Sequence, residues 1–269
     1  MVQPMHIFFS NRGSLFALAL ACGSLLATAA QGAILSHGNF GPVAPGVSFL
    51  NVTESSGTGD SVPLYGAPTP FATGLDFNPV NFLAMGSGGA GDITDGQLNF
   101  TIFGQDGGGN DVAISTINLS ESGVYDLTGT GTAATQIAVG AILNVKITEI
   151  DGVAVTPITL FGNASLTSNL VATPGDEVDV PWNLNILIDV QAELTTLGVP
   201  FTVGATRADV FLNNTLTAIS EALSTAEVVK NDFVISIVPK TEVIPEPSTL
   251  AMAAIGLCGL GLRRTRKQS

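Results

Sequence analysis

The stretch VDVPWNLNILIDV, residues 178–190, decides the fold. Val178, Val180, Trp182, Leu184, Ile186, Ile188 and Val190 occupy every second position. Asp179, Pro181, Asn183, Asn185 and Asp189 lie between them, and Leu187 is the one exception. Side chains alternate faces along a strand, whereas a helix repeats every 3.6 residues, so this is a strand with one face in a core. Trp182 falls on the apolar parity, which favours a core role over an exposed sugar platform. Pro181 lacks an N–H and places the start of the strand at a bend or a sheet edge.

The same alternation recurs on either side. Leu98, Phe100 and Ile102 alternate with Asn99 and Thr101; Leu143, Val145 and Ile147 alternate with Asn144, Lys146 and Thr148. Val210, Leu212, Leu216 and Ala218 share one parity, with Asn214 between them, and Phe233, Ile235 and Ile237 form a late strand before a linker at residues 239–244. Turn signals separate the runs: Thr58-Gly59-Asp60, Ser87-Gly88-Gly89, Asp95-Gly96, Gly107 to Asn110, Asp151-Gly152 and Pro174-Gly175. Only SEALSTAEVVK, residues 220–230, has helical character, and it reads equally well as a hairpin. Residues 33 to about 90 are richer in Gly and Pro and suit long loops. Half-buried strands with turns at short intervals predict an all-β domain over residues 33–240, an antiparallel β-sandwich of jelly-roll or immunoglobulin-like type.

Charge narrows the function classes. Residues 33–244 hold four basic residues, Lys146, Arg207, Lys230 and Lys240, against 21 acidic ones. A field of that sign repels nucleic acid and anionic lipid, which excludes nucleic-acid binding. Both cysteines, Cys22 and Cys258, lie in terminal apolar runs, so the body has no disulfide, cysteine nucleophile or thiolate metal site.

The two ends read as addresses. A polar segment with Arg12 precedes the 12-residue apolar run LFALALACGSLL, and the small residues ATAAQGA follow. That is the order of a secretory signal peptide, here residues 1–32, with cleavage after Ala29 or Gly32 and export through the Sec translocon. Leu20 sits one place too close to Cys22 for a lipoprotein signal. At the other end, residues 241–269 contain Pro245-Glu246-Pro247, thirteen apolar residues at 250–262, and the basic cluster Arg263, Arg264, Arg266 and Lys267. The prolines forbid helix at that point, and the positive end stays cytoplasmic. As a helix the apolar run covers about 20 Å against a hydrocarbon core of roughly 30 Å, which suits transient inner-membrane insertion better than a permanent anchor.

Those three parts in that order resemble the PEP-CTERM sorting signal. The resemblance implies processing by an exosortase, a Gram-negative host, and a destination at the cell envelope, outer surface or exopolysaccharide matrix. It covers the tail alone; the body resembles no family we can name.

The body offers little catalytic vocabulary. His37 is its one histidine, too few for a multi-histidine zinc site, and there is no G-x-S-x-G, H-E-x-x-H or P-loop motif. His37 is expected to be an ordinary polar residue where the first strand begins. Oxygen ligands for calcium cluster at turns, with Asp92 and Asp95 in GDITDG and Asp106 and Asp111 in QDGGGND as leading candidates. Aspartate is also ordinary turn chemistry, and a solvated turn is the favoured reading. The expectation is therefore a non-enzymatic exported surface or matrix protein without a required cofactor, associated with exopolysaccharide or biofilm. The alternative is a carbohydrate- or ligand-binding module, which an exposed Trp or Tyr would favour. A secreted hydrolase, which needs two close carboxylates in a cleft, ranks last.

Overall fold

A computed structural model describes residues 33–43, 46–170 and 176–240. The signal peptide with its predicted N-terminal helix, the sorting tail with its predicted short hydrophobic helix, and the Pro174-Gly175 turn fall outside the described residues. The body is built from β1 (Leu35–Val43), β2 (Val47–Ser56), β3 (Thr69–Phe71), β4 (Gly74–Phe77), β5 (Leu83–Ser87), β6 (Gly91–Gly104), β7 (Ala113–Thr130), β8 (Gln136–Ile150), β9 (Val153–Asn169), β10 (Glu177–Asp189), α1 (Val190–Thr196), β11 (Ala205–Ile219) and β12 (Leu223–Lys240).

These strands form two six-stranded sheets, and every pairing is antiparallel. The first runs β1-β2-β6-β11-β8-β9. The second runs β10-β7-β12-β4-β3, with β5 pairing the first half of β12 and β4 the second half. One core lies between them, filled by the inward residues of β6, β8 and β11 on one side and of β7, β10 and β12 on the other. Each fully buried Val, Leu, Ile or Phe contributes about 1.5–3 kcal/mol by leaving water, so this interleaved face holds the sheets together. The molecule is the predicted antiparallel β-sandwich.

The diagnostic segment is β10, an edge strand of the second sheet. Trp182, Leu184, Ile186 and Ile188 are buried, and Leu187 points outward. Pro181 is exposed on that edge strand, the kind of position where a sheet tolerates a residue without an N–H. Val178, predicted to face the core, is exposed instead, because a bulge with Asp179 at φ 52° shifts the register between Glu177 and Val180.

Other expectations need correcting. Residues 220–230 are neither helix nor hairpin: after a short turn the chain crosses from the first sheet to the second and runs as β12, where Ala226, Val228 and Lys230 share the inward parity. The β12 strand continues through Pro239 and Lys240, so the linker begins later than expected. Asp95-Gly96 is no turn but the middle of β6. Gly96 is needed there because a Cβ would lie 2.5 Å from the Phe82 ring. The helix that does form, α1, is capped by Asp189, whose side chain accepts from the Ala192 N–H at 2.9 Å. The Asp151-Gly152 hairpin turn forms as predicted, with φ of 50° and 70° at its two residues, the positive pair that a two-residue turn between twisted strands prefers.

Candidate functional site

Glu121 on β7, Lys230 on β12 and Asn214 on β11 each interrupt an inward row of apolar residues, and the three meet inside the sandwich. Lys230 Nζ donates to Glu121 Oε2 at 2.8 Å, and both side chains are fully buried. Asn214 Nδ2 donates to the other oxygen, Oε1, at 2.6 Å. Tyr65 completes the group: its hydroxyl lies 2.8 Å from Asn214 Oδ1 and 3.0 Å from the Gly96 carbonyl, either of which can take its one proton. Tyr65 arrives from the loop after β2 because Glu54, itself buried, accepts the Leu64 and Tyr65 N–H groups at 2.9 and 3.1 Å.

Aromatic rings wall the cluster. Lys230 Nζ lies 4.6 Å from the centre of the Phe82 ring and 5.5 and 5.6 Å from those of Tyr65 and Phe233. Burial pushes the Lys230 amine below its usual range, although the Glu121 carboxylate opposes that shift. Burial, reinforced by Glu121, Asp95 and Glu54, pushes the Tyr65 hydroxyl well up, so it stays a proton donor. Gly123, directly across from both Lys230 and Trp182, leaves the space this packing needs, since a Cβ there would lie 1.9 Å from the Val229 carbonyl oxygen.

The outer face of the first sheet differs in kind. One row across it reads Phe161, Asn144, Phe211, Asn99 and Thr53, and the next reads Asn163, Ile142, Asn213, Gln97 and Ser55. Phe161 and Phe211 are 60% and 46% exposed. A shallow hollow of about 220 Å³ opens above Gly140, bordered by Ile142, Asn163, Ser165, Asn213 and Thr215. On a strongly acidic body these two rows carry amides, hydroxyls and apolar groups without one charge.

The residues singled out from sequence lie apart from both places. Asp92 and Asp95 sit on opposite faces of β6; Asp92 accepts from the Met85 N–H and Asp95 from the Thr215 hydroxyl. Burial pushes the Asp95 carboxyl up, although hydrogen bonds from Thr215 and Asn213 oppose it. Asp106 closes its own turn, accepting the Gly108 and Asn110 N–H groups and the Asn110 side chain, which hold its carboxyl down. Asp111 lies under the Asp151-Gly152 turn. Among the described residues no group of three or more His, Cys, Asp or Glu side chains is placed to hold a metal ion. His37 lies within β1, its Nε2 3.4 Å from Glu54 Oε2 and its ring edge-on to Phe77. Trp182, Tyr65 and Tyr125 are all buried.

Comparison with known proteins locates the address. The family model for the PEP-CTERM protein-sorting motif matches residues 243–267, spanning Pro245, Glu246 and Pro247 through Arg263, Arg264, Arg266 and Lys267. The chain carries a PEP-CTERM sorting signal. It is thus an exported protein, sorted through exosortase processing to the cell envelope or outer surface. No curated protein matches the chain. Among solved structures, a family 30 carbohydrate-binding module is similar at 9% identity over 77% of this chain and 99% of that one, with a TM-score of 0.22. A carbohydrate-binding module of the β-sandwich superfamily is similar at 10% identity over 76% and 58%, with a TM-score of 0.20. Likenesses of that size carry no ligand to this chain.

Proposed function

We propose that the mature body is a non-enzymatic structural component of the cell surface or extracellular matrix, held in association with exopolysaccharide or biofilm. One observation supports this above the others. The place where an amine, a carboxylate, an amide and a phenol converge is sealed between the sheets, with Glu121, Lys230, Asn214 and Tyr65 at 1% exposure or less. No external substrate reaches those groups without separating the sandwich, so they serve the fold and not a turnover reaction.

The test combines destination with activity. Deleting residues 245–269 and comparing cell fractions with those of an exosortase-deficient host is expected to strand the protein before the surface, whereas the full chain loses its tail and arrives there. The purified body is expected to be retained on host exopolysaccharide without shortening it. Turnover of the polysaccharide would refute the non-enzymatic role, and a body recovered wholly in the soluble fraction would refute matrix association.

A second reading, a carbohydrate- or ligand-binding module, draws on the outer face of the first sheet. Exposed Phe161 and Phe211 among Asn144, Asn163 and Asn213 offer apolar contact beside amides that bond hydroxyls. Saturable binding of a defined oligosaccharide, lost in the Phe211→Ser variant, would favour this reading over a purely structural one.

A further inference from the structure

The buried cluster contains everything required for a bond between the two sheets. We propose that Lys230 and Asn214 join through an intramolecular amide, with Glu121 moving the protons and ammonia leaving.

The geometry supplies each role. Glu121 holds the nucleophile Nζ on one oxygen, at 2.8 Å, and the leaving group Nδ2 on the other, at 2.6 Å. The two nitrogens that must exchange places on the Asn214 carbonyl carbon are therefore gathered by one carboxylate. The Tyr65 hydroxyl, 2.8 Å from Oδ1, is set to stabilise the negative charge that develops on that oxygen. Burial disfavours the charged ammonium, so transfer of its proton to the carboxylate exposes the lone pair that attack needs. Water, which would compete for the amide, is kept out by Phe82, Phe233 and the Tyr65 ring. Bringing reactive groups together in a fixed, dry site is what makes an otherwise sluggish amide exchange proceed.

The step balances without a co-reactant. The Lys230 ammonium gives one proton to the Glu121 carboxylate. Neutral Nζ then attacks Cγ, the Nζ–Cγ bond forms, and the carbonyl pair moves onto Oδ1, which accepts from Tyr65. Glutamic acid 121 (Glu121) protonates Nδ2 and takes the second proton from Nζ. The Oδ1 pair returns to the carbonyl, the Cγ–Nδ2 bond breaks, and NH₃ departs. The products are a secondary amide, ammonia and a protonated Glu121, with no change in total charge. Lys230 lies on the second sheet and Asn214 on the first, so the product is a covalent strut through the core.

Mass spectrometry of the full exported chain tests this. The expected tryptic product is one peptide spanning residues 208–240, uncut at Lys230 and lighter than its sequence by one ammonia. Cleavage after Glu221 or Glu227, inside the closed loop, should then leave two segments still joined, with fragmentation placing the link between Lys230 and Asn214. The Glu121→Gln variant keeps the side-chain volume and removes the proton carrier; its peptides are expected at full mass and cut at Lys230. Full-mass peptides cut at Lys230 in the wild type overturn the proposal. So do an ammonia loss mapped to a terminal glutamine or another asparagine, a water loss joining Lys230 to Glu121, and a Glu121→Gln variant that links as completely as the wild type. Because the wild-type digest decides the matter, a variant that fails to fold leaves no ambiguity.

Discussion

Truncating Trp182 tests the assignment of the body's one tryptophan to the core. Trp182 is 2% exposed, faces Gly123 across the β10–β7 ladder, and directs its indole N–H to the Val229 and Val124 carbonyls at 3.1 and 3.3 Å. Trp182→Ala removes the ring and leaves a cavity, a change that costs about 3–5 kcal/mol in a packed core. Trp182→Phe keeps most of the apolar contact and forfeits the hydrogen bond, about 0.5–1.5 kcal/mol. For a domain of this length each kcal/mol moves Tm by roughly 2–4 °C, so the alanine variant should melt about 6–20 °C lower and the phenylalanine variant about 1–6 °C lower. Melting should be followed by circular dichroism, because Trp182 is the only tryptophan and each variant abolishes its fluorescence. An alanine variant that melts within about 2 °C of wild type and loses retention on polysaccharide would falsify the core assignment and make Trp182 a binding residue.

Four further outcomes follow from individual contacts. Gly123→Ala should be among the most damaging small substitutions, because its methyl would lie 1.9 Å from the Val229 carbonyl oxygen and 2.8 Å from the Trp182 ring; a Tm drop at least as large as that of Trp182→Phe is expected. Asp151 is partly buried, which raises its pKa, but N–H bonds from Gly204, Thr202 and Val203 outweigh this and hold it below the usual carboxylate range. Its contribution is present above the unfolded pKa and fades as pH falls through the lower folded one, so Asp151→Asn should flatten the acid limb of a Tm-against-pH curve; an unchanged limb would contradict the assignment. Phe211→Ser and Phe161→Ser lie on the solvent face and should shift stability by only about 0.5 kcal/mol, with any loss of polysaccharide retention read directly from a pull-down. Calcium should not raise Tm over a chelator control, because Asp92 and Asp95 face opposite sides of β6 and the Asp106 oxygens are already occupied; a calcium-dependent rise would show that these turns gather ligands after all.

Period-two alternation made the sandwich legible because one face of almost every long strand is buried, and Trp182 was placed correctly by parity alone. The strand at residues 223–240 was harder to read. Lys230 interrupts its apolar parity, and the bulge between Lys230 and Asp232 then flips the parity, so Ala226 and Val228 fall out of step with Phe233 and Ile235. A reading that requires one unbroken alternation therefore gives way to a helix. Asp95-Gly96 misled for the opposite reason: a dipeptide that usually marks a turn is used in β6 because Phe82 needs the space above Gly96. The sealed cluster did leave a trace. Glu121, Asn214 and Lys230 are each a polar residue on the largely apolar inward parity of a long strand, and parity shows that each is buried. What parity does not carry is register between sheets, and register alone brings the three to one point.

Stability by itself is a poor reason for placing that point in the core. A buried ion pair recovers little more than the cost of stripping water from both charges, and apolar residues of the same volume often serve as well or better. Glu121 and Lys230 could thus be replaced without loss if holding the sheets together were their whole task, and Asn214 and Tyr65 would then be unnecessary. The chemistry of the four side chains gives a sufficient reason. The body has no cysteine, so an exported domain that must last outside the cell has no disulfide available. A link between residues 214 and 230 closes a loop of about 17 residues, which by the loop-entropy argument for cross-links is worth about 3 kcal/mol, comparable to a disulfide of that span. Unlike a disulfide, an amide needs no oxidant to form and is not undone by thiols. It also forms only after β7, β11 and β12 have met, so the chain can cross the inner membrane unlinked and acquire its strut where it folds.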